Sequence, residues 1–70
     1  MFEYEIIKDI ADIGKTGKAL KLIRWGDNPA KLDLRTWITG EDGLRPGKGL
    51  TLSKEEAKEL SDALQLFLVG

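Results

Sequence analysis

Two tryptophans and the cations near them are the residues of this chain best suited to binding chemistry. From Lys31 onward, eight residues alternate strictly between a charged or aromatic side chain and a leucine, threonine or isoleucine. In a β-strand, this spacing places Lys31, Arg35 and Trp37 on one face and the leucines on the other. The segment before it has the same pattern, since Lys21 and Trp25 lie opposite the two leucines that flank Lys21.

An exposed sheet face of lysine, arginine and tryptophan is suited to binding single-stranded nucleic acid. The cations neutralise phosphates, and the indoles offer flat surfaces on which unpaired bases stack. We therefore expect Trp25 and Trp37 to be at least partly exposed and to contact bases. The cations expected to follow the nucleic-acid backbone are Lys15, Lys18, Lys21, Lys31, Arg35 and Lys48.

The same residues also have a structural interpretation. Trp25 and Trp37 could form a cross-strand pair that covers the sheet. The cations could form a solvated face balanced by Asp33. Because a carboxylate repels phosphate, we expect Asp33 to be a structural partner of Arg35 or Lys21 rather than a nucleic-acid contact.

The distribution of charge along the chain is more informative than its sum. The net charge of the 70 residues is −1, but residues 13–50 hold eight lysines and arginines against four acidic residues. The segments before and after are acidic. This asymmetry favours a basic surface in the middle of the chain, although the charges could equally serve solubility alone.

The absence of cysteine and histidine argues against several classes of site and function. It excludes disulfides and makes a structural zinc site unexpected. It also removes the usual general base near neutral pH and the thiol nucleophile, so we expect no enzyme, metal, cofactor or small-molecule substrate.

The N-terminal residues lack the features of a signal peptide, and no stretch is long and apolar enough to span a membrane. We expect a cytoplasmic protein without a membrane partner.

Four strands and a helix are predicted to position these side chains within a single domain, residues 1–70. Two adjacent isoleucines, Ile6 and Ile7, interrupt the alternation of the first strand and predict a bulge or a shift of face. In order, the chain is predicted to form a strand from Phe2, a turn over residues 14–17, strands over residues 19–25 and 31–38 joined by a turn, a loop over residues 40–47, and a short strand over residues 50–52.

The last third of the chain is predicted to be a helix. Ser53 is followed three residues later by Glu56, a capping box, and apolar residues then recur at helical spacing. Residues 64–69 are apolar nearly all round, which favours burial against a second copy of the chain or against the sheet. Because a chain this short buries little core, oligomerisation is the remaining means of stabilisation. The expected interface residues are Leu60, Leu64, Phe67 and Leu68.

Two segments of the chain resemble the positive cofactor four transcriptional-coactivator family. One is the strand in which aliphatic residues alternate with Asp33 and Arg35 before an aromatic residue; the other is the Pro-Gly-Lys-Gly run that ends at Gly49. The Ile-Gly-Lys run that ends at Lys15 is similar to the end of the family's first strand. The resemblance covers roughly residues 13–68.

The resemblance implies an α+β fold, a curved four-stranded antiparallel sheet followed by one C-terminal helix. It implies a homodimer in which the helices pack at the subunit interface and the two sheets form basic grooves. The implied activity is binding of single-stranded DNA or unwound duplex with little sequence preference, in transcription regulation or in DNA repair or replication. RNA is an alternative ligand. The matching positions are Trp25, Lys31, Lys48 and either Trp37 or the adjacent Ile38.

The resemblance also has departures. The turn over residues 26–30 is longer than in eukaryotic members, and their Ser- and Lys-rich N-terminal tail is not matched. We therefore expect a minimal, bacterial- or phage-type member. The alternative function is a dimeric protein-interaction adaptor that does not bind nucleic acid.

Overall fold

The computed structural model describes residues 3–69. The four strands form one open antiparallel sheet in the order β1-β2-β3-β4, and a single helix follows the last strand. The predicted α+β class is confirmed. Phe2, the predicted start of the first strand, lies outside the described residues. The elements are β1 (Tyr4–Ile13), β2 (Lys18–Trp25), β3 (Lys31–Gly40), β4 (Gly43–Leu52) and α1 (Lys54–Val69).

The first strand carries two irregularities in its pairing with β2. Register shifts occur between Ile6 and Lys8 and between Asp9 and Ala11. The first shift confirms the bulge predicted from the adjacent isoleucines, whereas the second was not predicted. Because each extra residue reverses the alternation of faces, the first bulge places Asp9 opposite Lys21 and on the same face of the sheet.

The prediction of a loop over residues 40–47 is wrong. β3 continues to Gly40, and β4 begins at Gly43 after a two-residue turn. Gly43 has a φ of 105°, a conformation that side chains with a Cβ rarely adopt. Pro46 is tolerated within β4 because this strand lies at the edge of the sheet, next to a register shift. Glycine, proline and charged residues are typical of loops, but here they belong to the hairpin formed by β3 and β4.

The helix begins with the predicted capping box. The Ser53 amide donates a hydrogen bond to Glu56 Oε1 (2.9 Å), and the Glu56 amide donates to Ser53 Oγ (3.1 Å). The hydrogen bond from the Ser53 amide favours the charged carboxylate and is the largest cause of the lowered pKa of Glu56. Within the described residues, α1 contacts the sheet at β3 and β4.

The C-terminal part of the helix does not pack on the sheet of its own chain. Leu66, Phe67, Leu68 and Val69 are between 73% and 84% exposed. The alternative that this end of the helix is tucked against the sheet is therefore wrong for the single chain. An apolar surface of this kind remains available for a second molecule.

The two faces of the sheet are buried to different degrees. We call the face that carries Trp25 and Trp37 the aromatic face, and the opposite face the leucine face. Most of the leucines on the leucine face are half-buried. The aromatic face, which we expected to be exposed, contains the most buried side chains of the described residues. These are Ala19, Ile23, Asp33 and Trp37.

Candidate nucleic-acid interface

Three aromatic rings form one layer over the aromatic face. Tyr4 lies directly opposite Trp25 in the register of β1 and β2, and their ring centroids are 5.2 Å apart. The centroids of Tyr4 and Trp37 are 5.7 Å apart. Tyr4 therefore joins the two indoles, which is a different arrangement from the direct Trp25–Trp37 pair considered as the structural alternative. Tyr4 was not among the predicted site residues, although its alternation with Glu3 and Glu5 placed it on one face of the first strand.

Burial separates the two tryptophans. Trp25 is half-buried, as expected for a ring that bases could reach, but Trp37 is only 6% exposed. The expectation that Trp37 is partly exposed is wrong, because Tyr4 and Lys21 lie against its ring. The Nε1 atoms of both indoles are buried and have no hydrogen-bond partner among the described residues.

Two of the predicted phosphate contacts are packed against these indoles. Lys21 Nζ lies 5.3 Å from the centroid of Trp37, and the Arg35 guanidinium lies 4.7 Å from the centroid of Trp25. Both distances are within the range of cation–π attraction. The cations and the indoles of the aromatic face thus form one packed group rather than separate exposed side chains.

Lys21 also has an acidic partner on β1. It forms an ion pair with Asp9, and in this pair the Lys21 side chain is 13% exposed whereas that of Asp9 is 73% exposed. A second ion pair joins Arg24 of β2 to Glu5 of β1. Carboxylates of the first strand therefore neutralise cations of the second, at positions that the bulges and the register decide.

Asp33 and Arg35 form the most buried ionic group of the face. Asp33 is fully buried, and its two carboxylate oxygens accept hydrogen bonds from Arg35 Nε (2.6 Å) and Nη2 (2.7 Å). Thr51 Oγ1 donates to the same carboxylate (3.2 Å), and Arg35 Nη1 donates to the Gly47 carbonyl (3.1 Å). The prediction that Asp33 is a structural partner of Arg35 is confirmed.

The remaining predicted cations are exposed, and the structure groups them at two places. Lys15 and Lys18 line a cavity of about 300 Å³ together with Lys21 and Trp37. Lys18 also lines a smaller cavity with Lys48. Lys31 lies apart from this group, close enough to Glu56 for its charge to contribute to the lowered pKa of that carboxyl.

An antiparallel sheet that gathers lysines and aromatic rings on one face is typical of proteins that bind single-stranded nucleic acid. Comparison with known families agrees with this class. The family model described as Transcriptional Coactivator p15 (PC4) matches residues 14–63. The chain belongs to this family, and the resemblance to positive cofactor four is confirmed.

Family membership places the chain among DNA-binding transcription proteins. The matched segment contains all eight predicted nucleic-acid contacts, from Lys15 to Lys48, whereas the whole of β1, with Tyr4 and Asp9, lies outside it. A search of curated proteins found no match. Within residues 3–69, no helix combines the length and the apolar character that crossing a membrane requires.

Proposed function

We propose that the protein binds single-stranded DNA with little sequence preference through the aromatic face. The observation that carries the proposal is the layer of three aromatic rings on one face of the sheet, with the cations of Lys21 and Arg35 packed against its two indoles. Membership of the coactivator family supports it. The process served is transcription regulation, with DNA repair or replication as the alternatives.

The side chains that we propose contact DNA divide into three roles. Lys15, Lys18 and Lys48, which are exposed and line neighbouring cavities, neutralise backbone phosphates, and Lys31 does so at the other end of the face. Trp25 supplies the surface on which a base stacks. Trp37 is buried, and its ring contacts the ligand only where it lines the 300 Å³ cavity. Lys21 and Arg35 already have carboxylate partners, so their contribution to phosphate binding is smaller.

We propose that the functional unit is a homodimer formed through α1. Leu64 is 47% exposed, and Phe67 and Leu68 are more than 70% exposed, so a single chain leaves a broad apolar surface in water. Leu60 is half-buried at the edge of this surface. A second copy would cover these residues and leave both aromatic faces free for DNA. A partner protein docking on the same surface is the adaptor alternative.

The binding proposal is tested by titrating fluorescent oligo-dT and matched duplex DNA at several salt concentrations. We expect single strands to bind more tightly, with little dependence on sequence, and the logarithm of affinity to fall with log salt by about 0.7 per phosphate neutralised. Lys18→Ala and Lys48→Ala should lower affinity about equally for all sequences and reduce the slope by less than about one unit. The matched control is Lys58→Ala, which removes a lysine from the exposed side of the helix, where it pairs with Asp62.

Three outcomes would contradict this proposal. Affinity for duplex equal to or above that for oligo-dT would show that the face does not select unpaired bases. Binding by one sequence that exceeds the others by orders of magnitude would require base-edge recognition that the aromatic face does not supply. Absence of any DNA binding would favour the adaptor function.

A further inference from the structure

We infer that Arg35 is a positioning residue, which fixes the Lys48 segment of β4 and the ring of Trp25 through its pair with buried Asp33. The inference rests on the proposed binding of single-stranded DNA and deepens it. It replaces the role of direct phosphate contact that the sequence pattern assigns to Arg35.

Each of the three nitrogens of the Arg35 guanidinium already donates one hydrogen bond within the sheet. Nε and Nη2 donate to the two oxygens of Asp33, and Nη1 donates to the Gly47 carbonyl. One face of the guanidinium lies over the Trp25 ring, and the side chain is 15% exposed. A bidentate pair of this kind has a defined geometry, so the orientation of Arg35 is set by Asp33.

The local sequence of β4 is adapted to this side chain. Gly49 lies directly opposite Arg35, and a Cβ at Gly49 would lie only 1.9 Å from the Arg35 Cβ. A Cβ at Gly47 would lie 2.8 Å from the backbone oxygen of Thr36. Glycine on both sides of Lys48 therefore allows β4 to approach β3 closely where the arginine crosses it.

Lys48 is consequently held between two points of contact with β3. On one side the Gly47 carbonyl accepts a hydrogen bond from Arg35, and on the other Gly49 packs against the Arg35 backbone. Thr51 continues the network, because its hydroxyl donates to the same Asp33 carboxylate. Loss of the bidentate Arg35–Asp33 pair would disturb the hydrogen bond from Arg35 that holds β4 beside Lys48. It would also remove the guanidinium that packs on the Trp25 ring.

The positioning role and direct phosphate contact predict opposite effects of changing Asp33. If Arg35 contacts phosphate, Asp33→Asn removes a competing negative charge and leaves oligo-dT affinity unchanged or raises it. If Arg35 positions Lys48 and Trp25, the same change lowers affinity, by about fivefold, a coupling typical of residues in one hydrogen-bonded network. Arg35→Lys keeps the charge but loses the bidentate fork, so it should lower affinity to a similar extent.

The experiment combines a ligand-free measurement with a binding cycle. Amide hydrogen exchange without DNA should show faster exchange of residues 47–51 in Arg35→Lys and in Asp33→Asn, but not in Lys18→Ala. In oligo-dT titrations, the double variant Arg35→Lys with Lys48→Ala should lose less affinity than the sum of the two single losses, because part of the effect of Arg35→Lys acts through Lys48. Circular dichroism establishes that each variant retains the sheet, and Arg35→Lys alone supports the test if Asp33→Asn does not fold.

The results of these experiments distinguish the positioning role of Arg35 from direct phosphate contact and from failure of the proposed function. Unchanged exchange at residues 47–51 in Arg35→Lys would overturn the positioning role whether or not the protein binds DNA. Additive losses in the double variant, or full affinity in Arg35→Lys, would assign Arg35 to phosphate directly. Faster exchange in Arg35→Lys, together with no oligo-dT binding by the unaltered protein, would support the positioning of β4 by Arg35. It would contradict the proposed function instead.

Discussion

The carboxylate of Asp9 affects how strongly the basic residues of the aromatic face bind phosphate. It pairs with Lys21, whose ammonium group also lies against the Trp37 ring and beside the 300 Å³ cavity. Phosphate binding at Lys21 must therefore compete with Asp9. Because Asp9 is mostly exposed, the pair contributes little to the free energy of unfolding, and its main effect is on ligand affinity.

We expect Asp9→Asn to raise the affinity for oligo-dT, because it frees Lys21 without changing the length of the side chain. The matched control is Glu5→Gln, which removes the same charge from the same strand but frees Arg24, a residue that is not a predicted contact. Titrations at two salt concentrations measure the effect. Equal gains from both variants would mean that the charge of β1, and not Lys21, controls binding.

The two tryptophans should respond differently to truncation. Trp37→Ala removes a buried aromatic side chain and should lower the free energy of unfolding by about 3–5 kcal/mol. Trp25→Ala should cost about 1–3 kcal/mol of binding to single strands and less stability, because Trp25 is only half-buried. Denaturant unfolding and oligo-dT titration separate the two effects. Retained stability in Trp37→Ala would show that the ring is not part of the core.

At the scale of the element, the start of α1 is sensitive to pH. The hydrogen bonds from Ser53 hold the pKa of Glu56 below its usual value, so folding favours the charged carboxylate. The resulting stabilisation is fully present above the ordinary glutamate pKa of about 4.3. It is lost as the pH falls through the lowered pKa of the folded protein.

We therefore expect the first turn of α1 to fray as the pH is lowered below about 4.3, and Glu56→Gln to remove this part of the pH dependence. Helical circular dichroism between neutral and acid pH measures the transition. Glu55→Gln is the matched control, because Glu55 is adjacent in the same first turn. Identical acid transitions in the unaltered protein and in Glu56→Gln would contradict this account.

At the scale of the whole molecule, the apolar end of α1 predicts the oligomeric state. Leu64→Asp should produce monomers or unfolded chains, because it would bury a charge at the dimer contact. Leu66→Asp is the matched control, since residue 66 points to nearly the opposite side of the helix from residue 64. Sedimentation at micromolar concentration measures the change. A stable monomer of the unaltered chain would contradict the proposed homodimer.

Local patterns in the sequence determined most of the elements. Alternation separated the leucines of β2 from Lys21 and Trp25, and the spacing of Ser53 and Glu56 predicted the helix start, because each depends on residues only a few positions apart. The hairpin between β3 and β4 was the exception. Its glycines and Pro46 are typical of loops, and only pairing with β3 reveals them as an edge strand.

Contacts between distant parts of the chain were decided by the tertiary structure alone. The pairing of Lys21 with Asp9 depends on the first bulge in β1, and the burial of Trp37 depends on Tyr4 reaching it across the sheet. The hydrogen bond from Arg35 to Gly47 likewise depends on the register of β3 and β4. A shift of one residue would move each side chain to the other face. Alternation predicts which side chains share a face of a strand, but only the register between strands decides which of them meet.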